Sequence, residues 1–278
     1  MMKKMFYFCL ILSVSLLMEA SPALSASLDD AAQKIEDAYI VKKPAPLSSQ
    51  AIEGLTADQA YEIQEKIVEI RVNKGEEIFG YKAGLTSAPS QKKFGVTEAV
   101  RGTLFKSMIQ WPGIMYQKNF ARMFIETEIG FRLGKDITEP VEDIESLKKA
   151  VAIVFPAIEL PDLSFTDMKQ IKGTDIIAAN VVARKVLVGD AVWVKDVNAI
   201  SVKLFHDGQE ITSGVGKNAL GDQWEALKWV VNDVLARGGE VKEGYIIITG
   251  CVSKLLPAKP GKYVADYGDF GKIEFEFK

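Results

Sequence analysis

The sequence predicts an α+β fold. Two patterns carry the prediction: apolar residues recur at helical spacing in the stretch before Gly75, whereas from Phe124 onward the apolar runs are short, β-branched and bounded by turn residues. The 278-residue chain is 48% hydrophobic and 26% charged, enough length and apolar content for a sizeable core.

The N-terminus has another character. Met1-Met2-Lys3-Lys4, the apolar run Phe6 to Met18 and the small residues around Ser21 to Ser27 have the three-part form of a secretory signal, with an apolar core too short for a stable span. The expectation is a signal peptide over 1–26, a mature domain over 27–278, a periplasmic or secreted location and no transmembrane span after cleavage; the alternative is an uncleaved anchor. Processing would remove Cys9 and leave Cys251 alone, so no internal disulfide is expected. A formal net charge of -3 without a basic tract lacks a nucleic-acid footprint, so nucleic acid is not expected as a partner.

In chain order, Leu28, Ala31, Ala32, Ile35, Ala38 and Tyr39 mark a helix from Ser27 to Lys43, stopped by Pro44 and Pro46. Thr56-Ala57-Asp58-Gln59 has the form of a capping box and starts a second helix that ends near Gly75. Ile78 to Leu85 reads as a strand whose glycines permit close approach. Lys82 within it is either a snorkelling surface residue or a desolvated amine near acids. Thr86 to Phe105 reads as a loop with a short helix around Gln91 to Phe94, and Trp111-Pro112-Gly113 as a turn.

Phe124 to Phe131 is a strand, closed by Gly134-Lys135-Asp136. Its side chains alternate, so Glu126 and Glu128 share one face about 7 Å apart. They form either a solvated face or the floor of a cleft, where their repulsion needs a proton or a hard cation. A helix from about Asp143 to Val151 leads into a strand, Ile153 to Asp162, whose Glu159 is either a solvated terminus or a third carboxylate. Thr174 can cap a helix running through Ile176, Ile177, Asn180, Val181 and Arg184. Asp207-Gly208 signals a hairpin across Ala199 to Ser213. His206 beside that turn is the only histidine and reads as an edge residue, which excludes histidine-based catalysis and histidine-rich metal sites. Asp222 opens an amphipathic helix stopped by Gly238-Gly239, with Trp224 and Trp229 as core or interface packing. Tyr245 to Gly250 is an apolar strand, and Tyr263 to Asp266 pairs with Ile273 to Phe277 in a final hairpin.

Gly80-Tyr81-Lys82-Ala83-Gly84-Leu85-Thr86-Ser87, Glu126-Thr127-Glu128, Ile158-Glu159-Leu160-Pro161-Asp162 and Thr249-Gly250, in this order and spacing, resemble the 2-keto-4-pentenoate hydratase group of the fumarylacetoacetase-like superfamily. So does the ending from Lys259-Pro260-Gly261 to Gly271-Lys272-Ile273, and the likeness covers the chain from Ser27 to Lys278. The resemblance implies a mixed β-roll with flanking helices, a homo-oligomer, and Mg2+ or Mn2+ held by Glu126, Glu128 and Glu159. It implies Lys82 as the catalytic residue, and Leu85, Asn180, Thr249 and Ser253 as contacts to a small-molecule 2-oxo acid. The implied reaction adds water to a 2-hydroxydienoic or 2-oxo-enoic acid to give a 4-hydroxy-2-oxo acid; a sibling branch with the same ligands decarboxylates.

The sequence departs from the family pattern at several places. Val100 stands where members carry an acid, Ala179-Asn180-Val181-Val182 keeps the asparagine of the family's Asp-Asn-Ala-Ser while losing an acid and a hydroxyl, and Lys254 and Leu255 are unusual. These changes keep a further alternative open, an exported binder of a metal and a 2-oxo acid that no longer turns over.

Overall fold

The structure, a computed structural model, describes residues 22–190 and 195–278, with side chains from residue 27. The predicted signal peptide, 1–26, lies outside the described residues except for the backbone of its last five. No helix among the described residues is long and apolar enough to cross a membrane.

The helical layer comes first. Helix α1, Pro22–Val41, buries Leu28, Ala31, Ala32 and Ile35. A short helix α2, Ser48–Ala51, precedes α3, Ala57–Asn73, which starts where expected: the Thr56 hydroxyl accepts from the Gln59 amide and the Gln59 side chain accepts from the Thr56 amide. Arg71 on α3 donates to Glu36 on α1 at 2.8 Å, tying the two together inside the protein.

Strand β1, Ile78–Gly84, lies where the sequence places it. The next stretch corrects the expectation. Ser87 caps a full helix α4, Ala88–Phe94, and Val100–Phe105 is not a loop but a wholly buried strand β2, antiparallel to β1. Arg101 and Gly102 hide it in the sequence. Arg101 is buried because Asp233 accepts from it at 2.8 Å, and a Cβ at Gly102 would come within 2.9 Å of the Asn180 carbonyl oxygen.

Two short strands, β3 (Ile109–Gln110) and β4 (Ile114–Met115), precede the long antiparallel pair β5 (Phe124–Leu133) and β6 (Val151–Leu160). Between these lies α5, Ile144–Lys148, shorter than predicted because Val151 already belongs to β6. The helix expected from Thr174 to Arg184 also ends early. Helix α6 spans only Gly173–Ala178, and Asn180, Val181 and Val182 then turn left-handed with φ of 53°, 49° and 52°.

After β7 (Lys185–Val188), β8 (Ser201–His206) and β9 (Gln209–Val215) form the predicted hairpin, with Asp207 and Gly208 at φ of 48° and 80°. His206 lies at its end, with Nε2 3.0 Å from the Pro260 carbonyl and 3.5 Å from the Asp207 carboxylate, and it is not part of the acidic cluster found among the described residues. Helix α7, Gln223–Ala236, is capped by Asp222 and buries Leu227, Val230, Val231 and Val234. Trp224 and Trp229 pack against the main core, the Trp224 ring lying 5.1 Å from that of Phe131. The chain ends with β10 (Ile246–Ile248), β11 (Leu256–Pro257), β12 (Gly261–Asp266) and β13 (Lys272–Phe277).

The strands form two sheets. One is mixed, in the order β2-β1-β10-β5-β6-β7-β3 with β11 added on β5; the other runs β4-β13-β12-β8-β9. The α+β expectation holds, and the first sheet carries the site.

Candidate metal centre

The register of β5 against β6 makes the site. Glu126 faces Glu159 directly across the pair, and Glu128 follows on the same face two residues along. One carboxylate oxygen from each lies within 4.8 Å of the others. Glu128 and Glu159 are fully buried and Glu126 opens to a cleft, so the solvated-face alternative fails for all three. Lys82 arrives from β1 with 2% of its surface exposed. Its ammonium binds both oxygens of Glu159 and donates to the Val181 carbonyl at 3.1 Å. It is the desolvated amine, not a snorkelling one.

Three acids, two of them fully buried and one half-buried, share one cation. Burial raises the pKa of Glu126 to about 7, helped by the charge on Glu159 and opposed by Lys82. Burial and the same neighbouring acids push Glu128 well above the usual carboxylate range. Burial alone would lower Lys82, but the three glutamates outweigh it and hold its pKa above that of an ordinary lysine. Glu128 Oε2 accepts from the Gly250 amide at 2.7 Å, whereas Glu128 Oε1 has no partner at all. A buried acceptor with nothing to accept from costs about 1–3 kcal/mol or more for a charged group. Convergent carboxylate oxygens with an excess of negative charge fit a hard divalent cation.

Backbone shape supports this floor. Gly250 has φ of 106°, and a Cβ there would fall 2.4 Å from Thr86 Cγ2, so only glycine lets the chain pass Thr86 and offer its amide to Glu128. Above the floor lies a cleft of about 740 Å³ between α4 and the segment Cys251 to Leu255. Burial and the charges of Glu126 and Glu128 push the Cys251 thiol pKa well up, so this cysteine stays protonated beside the acids.

No family model matches the chain. It is 30% identical over 238 residues to the 2-keto-4-pentenoate hydratase of Paraburkholderia phymatum, covering 84% of this chain and 90% of that protein. It is 31% identical over 224 residues to the 2-hydroxyhexa-2,4-dienoate hydratase of Comamonas testosteroni, covering 78% and 84%. The chain belongs to the 2-keto-4-pentenoate hydratase family. A solved structure of 4-oxalocrotonate decarboxylase from Pseudomonas putida G7, complexed with magnesium and adipate, superposes with a TM-score of 0.86 at 21% identity, covering 91% of this chain and 98% of that one. The fold is therefore the fumarylacetoacetase-like one that the resemblance implies.

Within this hydratase-family scaffold the four expected substrate contacts separate into two pairs. Leu85 and Ser253 line the cleft, and the Ser253 hydroxyl accepts from Thr127 at 2.7 Å. Asn180 and Thr249 do not line it. Asn180 accepts from the Thr103 amide at 2.7 Å and donates to the Thr103 carbonyl at 2.9 Å, so its amide is spent on β2. Thr249 is fully buried and bonded to the Gln223 side chain beneath the floor. Both hydrogen-bond within the protein. Two backbone groups that no side-chain pattern announces, the Gly250 amide and the Val181 carbonyl, touch the site instead. Val100 lies in the apolar cluster that also holds Val181 and Ile176, so no proton donor stands there.

Proposed function

We propose that this chain is a divalent-metal-dependent hydro-lyase, loaded with magnesium or manganese, that adds water to a small 2-hydroxydienoic or 2-oxo-enoic acid and yields a 4-hydroxy-2-oxo acid. The observation that carries the reading is the convergent trio Glu126, Glu128 and Glu159, two of them fully buried, with one orphaned oxygen, opening on a cleft of substrate size. Those three residues would hold the ion. When bound, it supplies Lewis acidity toward the substrate carboxylate and 2-oxo oxygen.

The chain's own residues do the rest. Lys82, fixed between Glu159 and the Val181 carbonyl, places a positive charge and a transferable proton beside the enolate oxygen. Leu85, Leu163 and Val181 keep the diene in an apolar wall. Ketonisation moves a proton from the 2-hydroxyl to C5; conjugate addition then puts the water oxygen on C4 and its proton on C3. The test is loss of 2-hydroxypenta-2,4-dienoate absorbance with purified protein and Mg2+ or Mn2+. No turnover across a panel of such acids, with 4-oxalocrotonate included to reveal decarboxylation, overturns the reading.

A second reading, metal-dependent binding without turnover, is favoured by the apolar setting of Val100. It predicts saturable, Mg2+-dependent calorimetric binding of oxalate and no product. The Val100→Asp variant discriminates: a large gain in turnover marks a drifted enzyme, and unchanged turnover removes position 100 from the chemistry.

The proposal includes export and self-association. The basic, apolar and small-residue order of residues 1–26 supports export to the periplasm or beyond, tested by N-terminal sequencing of the cell-fractionated protein. The exposed Trp111, 69% accessible, near Ile114 and Tyr116, supports a homo-oligomer, tested by sedimentation.

A further inference from the structure

The cleft has a charged rim that the chemistry at its floor does not use. Helix α4 turns Pro89, Ser90, Lys93 and Phe94 toward the cleft, while the adjacent Lys92 does not line it. On the opposite side the segment after β10 climbs from Cys251, beside the floor, to Lys254. Neither the Lys93 nor the Lys254 ammonium makes an ion pair or a hydrogen bond among the described residues, the Lys93 ammonium lying over the Phe94 ring 4.9 Å from its centroid, whereas Lys106, for example, pairs with Glu77. Among the described residues Glu126 is the only acid that lines the cleft, and it belongs to the floor.

The charges decide what such a rim would take. Lys82 and a divalent ion together cancel the three glutamates, so a loaded floor is neutral. Lys93 and Lys254 then leave the cleft with two uncompensated positive charges. A monocarboxylate answers one of them. Apart from Lys82 at the floor, no other cation among the described residues lines the cleft; beyond Glu126 the rest of the lining is apolar, as at Leu85, Leu163, Ile176 and Val181, or uncharged polar, as at Ser90 and Asn218, so a second carboxylate meets a positive charge only at these two lysines.

We propose that Lys93 and Lys254 are specificity-determining residues that receive a distal carboxylate, and that the preferred ligand is a 2-oxo dicarboxylic acid with its 2-oxo acid end at the floor and its second carboxylate at the rim. This rests on the reading of the floor as a metal-bound 2-oxo acid site. It concerns substrate choice, and neither lysine is assigned to the hydration itself.

The test is calorimetric binding to the full Mg2+-loaded chain of two acids of equal length, 2-oxohexanedioate and 2-oxohexanoate, which differ only in a terminal carboxylate against a methyl. The dicarboxylate is expected to bind about tenfold tighter or more. This ratio should shrink at high salt, because exposed pairs are screened. In the Lys93→Gln/Lys254→Gln variant the ratio should fall close to one, and binding of the monoacid shows that the variant is folded. Equal affinity of the two acids for the wild-type chain overturns the assignment, as does a preference that survives in the double variant. Failure of both acids to bind the wild-type chain strikes the floor reading itself and removes the rim proposal with it.

Discussion

Two regions of this molecule bury charge in opposite ways. Around the helices two buried arginines each face an acid: Arg71 on α3 with Glu36 and Arg101 on β2 with Asp233 on α7, both at 2.8 Å, Asp233 also taking Arg237 at 3.1 Å. Aromatic rings complete the solvation, with Tyr39 3.7 Å from the Arg71 guanidinium and Tyr61 and Tyr81 flanking Arg101. On the floor of the cleft, one lysine faces three acids, and one Glu128 oxygen faces no donor. The first arrangement is charge-matched, although Arg71 Nη1 is left without a hydrogen-bond partner. The second is charge-imbalanced by construction, and this imbalance distinguishes a binding site from a structural ion pair.

Neutralising one charge should therefore act with opposite sign in the two regions. Glu126→Gln should lower turnover by at least ~10³-fold, since it removes a ligand from the group that supplies several kcal/mol of charge stabilisation. Without metal, the same variant should melt higher than the wild type at pH 8, because it removes a carboxylate that burial and Glu159 disfavour. Scanning calorimetry of the two metal-free proteins checks this; a lower melting temperature would mean the cluster is a closed structural network. In the helical layer, Glu36→Ala should cost about 3–5 kcal/mol by stranding Arg71, a fall of roughly 10 °C for a chain this size, while the Mg2+-induced rise in melting temperature persists.

The pH dependence sharpens the contrast. The folded-state pKa of Glu126 is raised, from the usual 4.5 to about 7, so the native state holds a proton that the unfolded chain has lost. Its contribution is present below pH 4.5 and is lost as pH rises toward 7. Metal-free protein should lose melting temperature across that window, and Mg2+ should restore more of it at pH 8 than at pH 5, because cation and proton compete for the same oxygens. A metal effect independent of pH would separate the ion from these carboxylates.

Much of the floor was legible in the sequence, and the reason is local. Alternation along one strand puts Glu126 and Glu128 on one face whatever else the chain does. Glu159 joins them through a register that the resemblance supplied and local pattern did not. What stayed hidden depends on partners far away. Val100–Phe105 contains an arginine that Asp233 neutralises inside the fold and a glycine that the close approach of the Asn180 carbonyl requires. Ile176, Ile177 and Asn180 continue a helical period, yet Asn180 bonds Thr103, 77 residues earlier, and the chain leaves the helix. The same bonds make Asn180 a brace between the turn and β2.

That brace gives the smallest predicted effect. Positive φ at Val181 and Val182, both β-branched, costs of order 1–3 kcal/mol each, and the turn persists only because something holds it. The holder is the Asn180 amide, whose two hydrogen bonds clamp the turn to β2 and so aim the Val181 carbonyl at Lys82. In Asn180→Ala the turn should relax, the carbonyl should move off the ammonium, and Lys82 should keep only Glu159 as its anchor. Turnover is expected to fall about tenfold, the order of one charge-assisted hydrogen bond, through kcat more than KM. The glutamates are untouched, so the Mg2+-dependent rise in melting temperature should survive. If this rise disappears along with activity, Asn180 braces the whole floor; if neither changes, the left-handed turn is held by the apolar packing of Val181 alone, and the Lys82 geometry is independent of it.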